Sequence, residues 1–148
     1  MDITKYLSKE CILFIEDTQD RGRVLELLIE AAHRAGKVKD KLRFAEVVAA
    51  RELIVSTGIG VGVAVPHAKL KTLDSFFIAL GIMKKGVDWE AIDGQPVTLV
   101  FLIGGPEYNQ KEYLHILAQI VQVVKNTDKR EKLRNAQTPE EVLSLLSS

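Results

Sequence analysis

Ser56-Thr57-Gly58-Ile59-Gly60-Val61-Gly62-Val63-Ala64-Val65-Pro66-His67 is the stretch from which the rest of the chain is read. Three glycines at alternate positions lead into a short β-branched run that ends in proline and histidine. Glycine reaches backbone angles closed to other residues and lets the main chain come close to a neighbour. Val63 to Val65 has the composition of a buried strand. Pro66 has no N–H to offer a sheet, so strand pairing is expected to weaken there. His67 then falls at a strand's end beside a glycine-rich loop, a better place for a reactive imidazole than for a core filler.

Upstream of this stretch, Ile3 to Leu7 is expected as a short leading helix and Cys11 to Ile15 as a first strand. Asp20 is a candidate N-cap for a helix whose stripe is Val24, Leu25, Leu27, Leu28, Ala31, Ala32 and Ala35, closed by Gly36. A second helix is expected after Asp40, with Phe44, Val47, Val48 and Ala50 facing inward, ending near Leu53. Downstream, Phe76 to Met83 reads as a strand, Lys84-Lys85-Gly86 as a turn, and Val87 and Trp89 as a returning edge. Asp93-Gly94 is another turn. Val97 to Ile103 is the most strand-like run, with Gly104-Gly105-Pro106 as its stop. A long helix spans about Asn109 to Asn126, and Thr127 and Asp128 cap a short one to Asn135. Thr138-Pro139-Glu140-Glu141 opens the last helix. Strands and helices interleave, which predicts an α/β layered fold with helices on both faces of a sheet, and one domain over residues 1–148.

Composition narrows the function classes. The chain has 148 residues, 47% hydrophobic, with 20 acidic and 20 basic side chains. A zero formal charge gives no whole-protein field for nucleic acid or a membrane surface. No apolar run approaches the roughly 20 residues of a membrane span. Met1 to Lys5 has neither the basic head nor the apolar body of a signal peptide. Cys11 is the one cysteine, so a cytosolic protein is expected.

Most cofactor chemistries lack their patterns. G-x-G-x-G followed by a strand is not the dinucleotide fingerprint, and no phosphate-binding P-loop occurs. His33, His67 and His115 lie too far apart for zinc-type spacing. No G-x-S-x-G elbow supports a serine hydrolase. No cofactor or metal is expected. His67 stands out for its company. Arg51 and Glu52 end the preceding helix, Ser56 and Thr57 bring hydroxyls, and Gly58 to Gly62 bring backbone N–H groups of the kind that line anion-binding concavities. Arginine suits phosphate oxygens, and neutral imidazole is a competent nucleophile near pH 7. Phosphohistidine chemistry at His67 is therefore one reading of the residues, beside a structural or solvated histidine.

Arg51-Glu52-x-x-x-Ser56-Thr57-Gly58-Ile59-Gly60-x-Gly62-Val63-Ala64-Val65-Pro66-His67 resembles the active-site signature of enzyme IIA of the bacterial phosphotransferase system, fructose/mannitol type, which includes the nitrogen-regulatory branch. Asp88-Trp89-x-Ala91-Ile92-Asp93-Gly94-Gln95-Pro96-Val97 and Ala136-Gln137-Thr138-Pro139-Glu140-Glu141 look like family landmarks too, in the expected order. The resemblance implies a five-stranded mixed sheet flanked by helices. It implies that His67 takes a phosphoryl group from the carrier protein HPr and hands it to a cysteine of a IIB domain, with Arg51 binding phosphate; from their own chemistry Ser56, Thr57, Gly58 and Gly60 are expected in support. The alternative is a regulatory protein whose phosphorylation state at His67 controls binding to kinases or transporters.

The family's second histidine, early in the long helix, corresponds to Tyr113. Helix geometry puts Tyr113, Leu117, Ile120 and Val124 on one face, with Leu114, Ile116 and Val121 at its sides. His115 lies about 200° away with Gln119 and Gln122. Tyr113 is thus expected inward, either as packing or offering its hydroxyl to a phosphoryl oxygen, and His115 outward as a solvated residue.

Overall fold

A computed structural model describes residues 2–54 and 57–147 of the chain. A 3-10 turn at Ile3–Tyr6 leads into β1 (Leu7–Phe14), followed by α1 (Arg21–Arg34) and α2 (Lys41–Ile54). Three short strands come next, β2 (Gly58–Gly60), β3 (Val63–Ala64) and β4 (His67–Leu70). β5 (Phe77–Val87) and β6 (Val97–Pro106) are long, and α3 (Gln110–Lys125), α4 (Thr127–Arg134) and α5 (Pro139–Ser147) close the chain.

The strands form one mixed sheet in the order β1-β5-β6-β3-β2, with β4 also on β6. β1 runs parallel to β5, β5 antiparallel to β6, and β3 and β4 both parallel to β6. Six strands stand where five were expected because Pro66 divides one path along β6 into two. Ala64 pairs with Val100 and His67 with Ile103. Between them Pro66 has no N–H to donate, although its carbonyl still accepts from Ile103 N at 2.9 Å. His67 therefore begins a strand as much as it ends one.

The unbroken apolar runs of β5 and β6 are explained by cover on both faces. Ala79, Met83, Val100 and Leu102 enter one core with Val24, Leu28, Phe44 and Val48 of α1 and α2. Ile78, Leu80, Ile82, Leu99, Phe101 and Ile103 enter the other, with Tyr113, Ile116 and Ile120 of α3, Leu133 of α4 and Val142 of α5. Helices thus lie on both faces, as the interleaving predicts. Asp20, Asn109 and Asn126 cap α1, α3 and α4, each accepting a backbone N–H of the first turn. The cap of α4 is thus Asn126, one residue before the expected Thr127.

Several boundaries differ from the sequence reading. The leading segment is a 3-10 turn, and β1 begins at Leu7. Ala50 is exposed. Lys84-Lys85-Gly86 is no turn, since β5 continues to Val87 through a shift of register after Ile82. Gly86, at φ 75°, absorbs the irregularity. Trp89 is fully buried, not an edge. Gly104-Gly105-Pro106 does not stop β6, because β4 pairs with it through Leu70 and Pro106. The glycines there answer a steric demand: a Cβ on Gly105 would lie 2.0 Å from the Phe76 ring, and one on Gly104 2.4 Å from Phe77. No helix among the described residues is long and apolar enough to cross a membrane.

Candidate functional site

Alternation along β4 sets the site. Ala68 and Leu70 point into the core beneath α1 and α2, while His67 and Lys69 lie half-buried on the opposite face. Among the described residues β4 pairs with β6 alone, so His67 stands on an open margin of the sheet. The Tyr113 ring of α3 faces it, with centroids 5.3 Å apart and planes at 48°. Lys69 Nζ lies 4.4 Å from the Tyr113 ring centroid and donates to Gln110 Oε1 at the start of α3. Arg51, in the last turn of α2 and exposed, adds its charge; α2 packs on β4.

His67 Nδ1 lies 3.4 Å from the Val65 carbonyl oxygen. A carbonyl accepts only, so Nδ1 carries the proton and Nε2 keeps its electron pair. Burial holds the imidazole below its ordinary pKa. The Val65 carbonyl pulls the other way, the Lys69 and Arg51 charges push further down, and Glu52 pushes up. The ring is therefore neutral and nucleophilic at neutral pH. Burial raises Tyr113, against a smaller pull from Arg51, so the phenol stays protonated.

Glu52 holds the neighbouring chain. Its carboxylate is 7% exposed, accepts the Thr57 hydroxyl, and lies 3.8 Å from Arg21 Nη1. The Trp89 indole donates to Thr57 Oγ1 at 3.2 Å, and Arg21 donates to the Trp89 carbonyl at 3.0 Å. The end of α2, the start of β2 and the segment after β5 are thereby tied together. The Thr57 hydroxyl proton is committed to Glu52 rather than aimed at His67.

The glycine stretch folds as a hairpin. Gly58 pairs with Ala64 and Gly60 with Val63, and Thr57 O accepts from Val65 N at 3.0 Å. Its open end is beside the site, but its tip points away, since Val63 is about 13 Å from His67 along the strand path. Gly58 must lack a side chain because a Cβ would lie 2.8 Å from that of Ala91. Gly60 and Gly62 adopt φ 98° and 79° to turn the chain. The structure thus brings His67, Arg51 and Tyr113 together, sets Thr57 behind them, and does not bring Gly60 to the imidazole. Ser56 lies outside the described residues. Lys69 is the site residue that sequence reasoning missed, and its signal was the two-residue spacing from His67 on one strand.

His115 is exposed on the outer side of α3 and borders a shallow cleft of ≈ 300 Å³ with Tyr6 and Glu112, separate from His67. Tyr113, Ile120 and Val124 are buried, as the helix geometry predicts; of the other residues named there, Ile116 is buried, Leu117 is half-buried, and Leu114 and Val121 are exposed.

The sequence model of the phosphoenolpyruvate-dependent sugar phosphotransferase system, EIIA 2, matches residues 5–148. The chain belongs to this family. A fructose-specific EIIABC component of the phosphotransferase system from Bacillus subtilis is 32% identical over 147 residues, 99% of this chain but 23% of that protein. The chain therefore spans about a quarter of that relative. A nitrogen regulatory protein from Bradyrhizobium diazoefficiens is 34% identical over 148 residues, covering 99% of this chain and 95% of the relative. The crystal structure of nitrogen regulatory protein IIA-Ntr from Neisseria meningitidis superposes with a TM-score of 0.89 at 28% identity, covering 97% of this chain and 98% of that one. This EIIA domain thus has relatives named for a fructose-specific phosphotransferase system and for nitrogen regulation at similar distances.

Proposed function

We propose that the chain is a cytoplasmic phosphocarrier that takes a phosphoryl group from phospho-HPr onto His67 Nε2 and passes it to a IIB component of a fructose- or mannitol-type system. The observation that carries this reading is a half-buried, neutral imidazole within reach of two cationic charges, on an open sheet margin where a partner protein has access. Nε2 brings its electron pair to phosphorus as the donor's N–P bond breaks. A donor ring protonated on its other nitrogen leaves as neutral imidazole. His67 keeps its Nδ1 proton against the Val65 carbonyl, so no proton changes hands. In the second step a IIB thiolate attacks phosphorus, an S–P bond forms, and His67 returns to neutral imidazole. Such a transition state is loose and needs placement and charge more than covalent help. Arg51 supplies charge at the phosphoryl oxygens.

A second reading is regulatory, with phosphorylation at His67 controlling attachment to kinases or transporters. It is favoured by the extended match to nitrogen regulatory proteins and by Tyr113 where the family's second histidine is expected. The test is to incubate the chain with phosphoenolpyruvate, enzyme I and HPr, then add IIB. Acid-labile label that is absent from His67→Ala and moves to IIB supports the carrier. Label that stays on the chain favours regulation, and label surviving His67→Ala contradicts both.

A further inference from the structure

We propose that Lys69 is a second phosphoryl-holding cation and that Tyr113 acts through it, seating the Lys69 ammonium on its ring face rather than presenting its hydroxyl. The inference rests on the reading of His67 as the phosphoryl acceptor. Three independent observations support it.

The first is placement. His67 and Lys69 are two residues apart on β4, so both side chains leave the same face of the strand. The second is the seat itself. Lys69 Nζ sits 4.4 Å from the Tyr113 centroid, and the same ring lies 5.3 Å from the His67 ring. An ammonium within about 6 Å of an aromatic face is held by the ring quadrupole without being neutralised, so its charge stays free for an anion. Gln110 holds it from the other side through a neutral oxygen. The third is the charge balance. Among the described residues neither Lys69 nor Arg51 has a carboxylate within ion-pair distance. Glu107 gives Lys69 only a weak counterweight, while Arg51 repels it. Two cations left unpaired beside a half-buried imidazole make a site that a phosphoryl dianion relaxes. On phosphorylation the ammonium swings from the ring face to a phosphoryl oxygen and screens the charge during attack and release.

The experiment charges the chain with phosphoramidate, a small donor that needs no partner protein, and follows the rate of His67 labelling. Lys69→Gln is expected to slow labelling on the order of a hundredfold, as for loss of one preorganised stabilising group. Lys69→Arg recovers most of the rate, and Tyr113→Phe, which keeps the ring, is slowed far less than Tyr113→Leu. Tyr113→Leu slows labelling, yet adds nothing to Lys69→Gln in the double variant, the mark of two residues acting as one. NMR titration of the uncharged protein supplies a second readout and reports folding. Lys69, Arg51, Glu52 and Tyr113 surround the imidazole, and removing the Lys69 charge should raise the His67 pKa. Labelling of Lys69→Gln at the wild-type rate, or Tyr113→Phe as slow as Tyr113→Leu, overturns the inference while leaving the carrier reading intact. A wild type that takes no phosphate on His67 overturns both.

Discussion

For His67 to accept phosphate, its Nε2 electron pair has to be both free and reachable. Burial and the charges of Lys69 and Arg51 keep the ring neutral, while its half-exposed position keeps it open. A depressed pKa has a defined sign. The acid limb of phosphate acceptance should have its midpoint below the ordinary imidazole value of about 6.5. The same group stabilises the fold above that value and loses this contribution as pH falls through the lowered one. Labelling rates across about pH 5 to 8 check this; a limb at or above the ordinary value would show that burial does not govern the ring. At this scale the sequence was legible where chemistry is local. His67 and Arg51 follow from residue type and spacing, and the inward face of Tyr113 from helical periodicity. Lys69 was hidden because Pro66 reads as the end of a strand. Once His67 is seen to start β4, parity alone puts Lys69 beside it.

Among the elements, glycines mark where side chains from elsewhere occupy the space. Gly105→Ala would drive its methyl into the buried Phe76 ring, 2.0 Å away. It should lower unfolding free energy by about 1–3 kcal/mol, read from the denaturant midpoint. Gly22→Ala meets only Asp20 Oδ2 at 3.4 Å and should leave stability unchanged or raise it by up to about 1 kcal/mol. Equal stability of the two variants would contradict this steric account of β6. The misread boundaries share one cause. Lys84-Lys85-Gly86 and Gly104-Gly105-Pro106 carry turn-like composition, yet long-range pairing with β6 and β4 overrides it. Helices α1 and α3 were legible because their caps and apolar stripes are local signals. The hairpin glycines stand out in the sequence, but their contacts with Ala91 and Asp93 were not legible there, since these lie over thirty residues away.

In the whole molecule, a sheet buried on both faces has a margin at which β4, the end of α2 and the start of α3 converge. The layered architecture was legible from alternation of strands and helices, because each layer buries a periodic stripe. That His67 stands on a sheet margin was not, because it depends on the break at Pro66 and the order of strands. The central claim concerns the chemistry at that margin. It is tested most directly by phosphorus–nitrogen correlated NMR on the chain charged by phospho-HPr. The expected result is a single phosphohistidine, on Nε2 of His67, with Nδ1 retaining its contact to the Val65 carbonyl. Phosphate on Nδ1, on another residue, or on none would contradict the account.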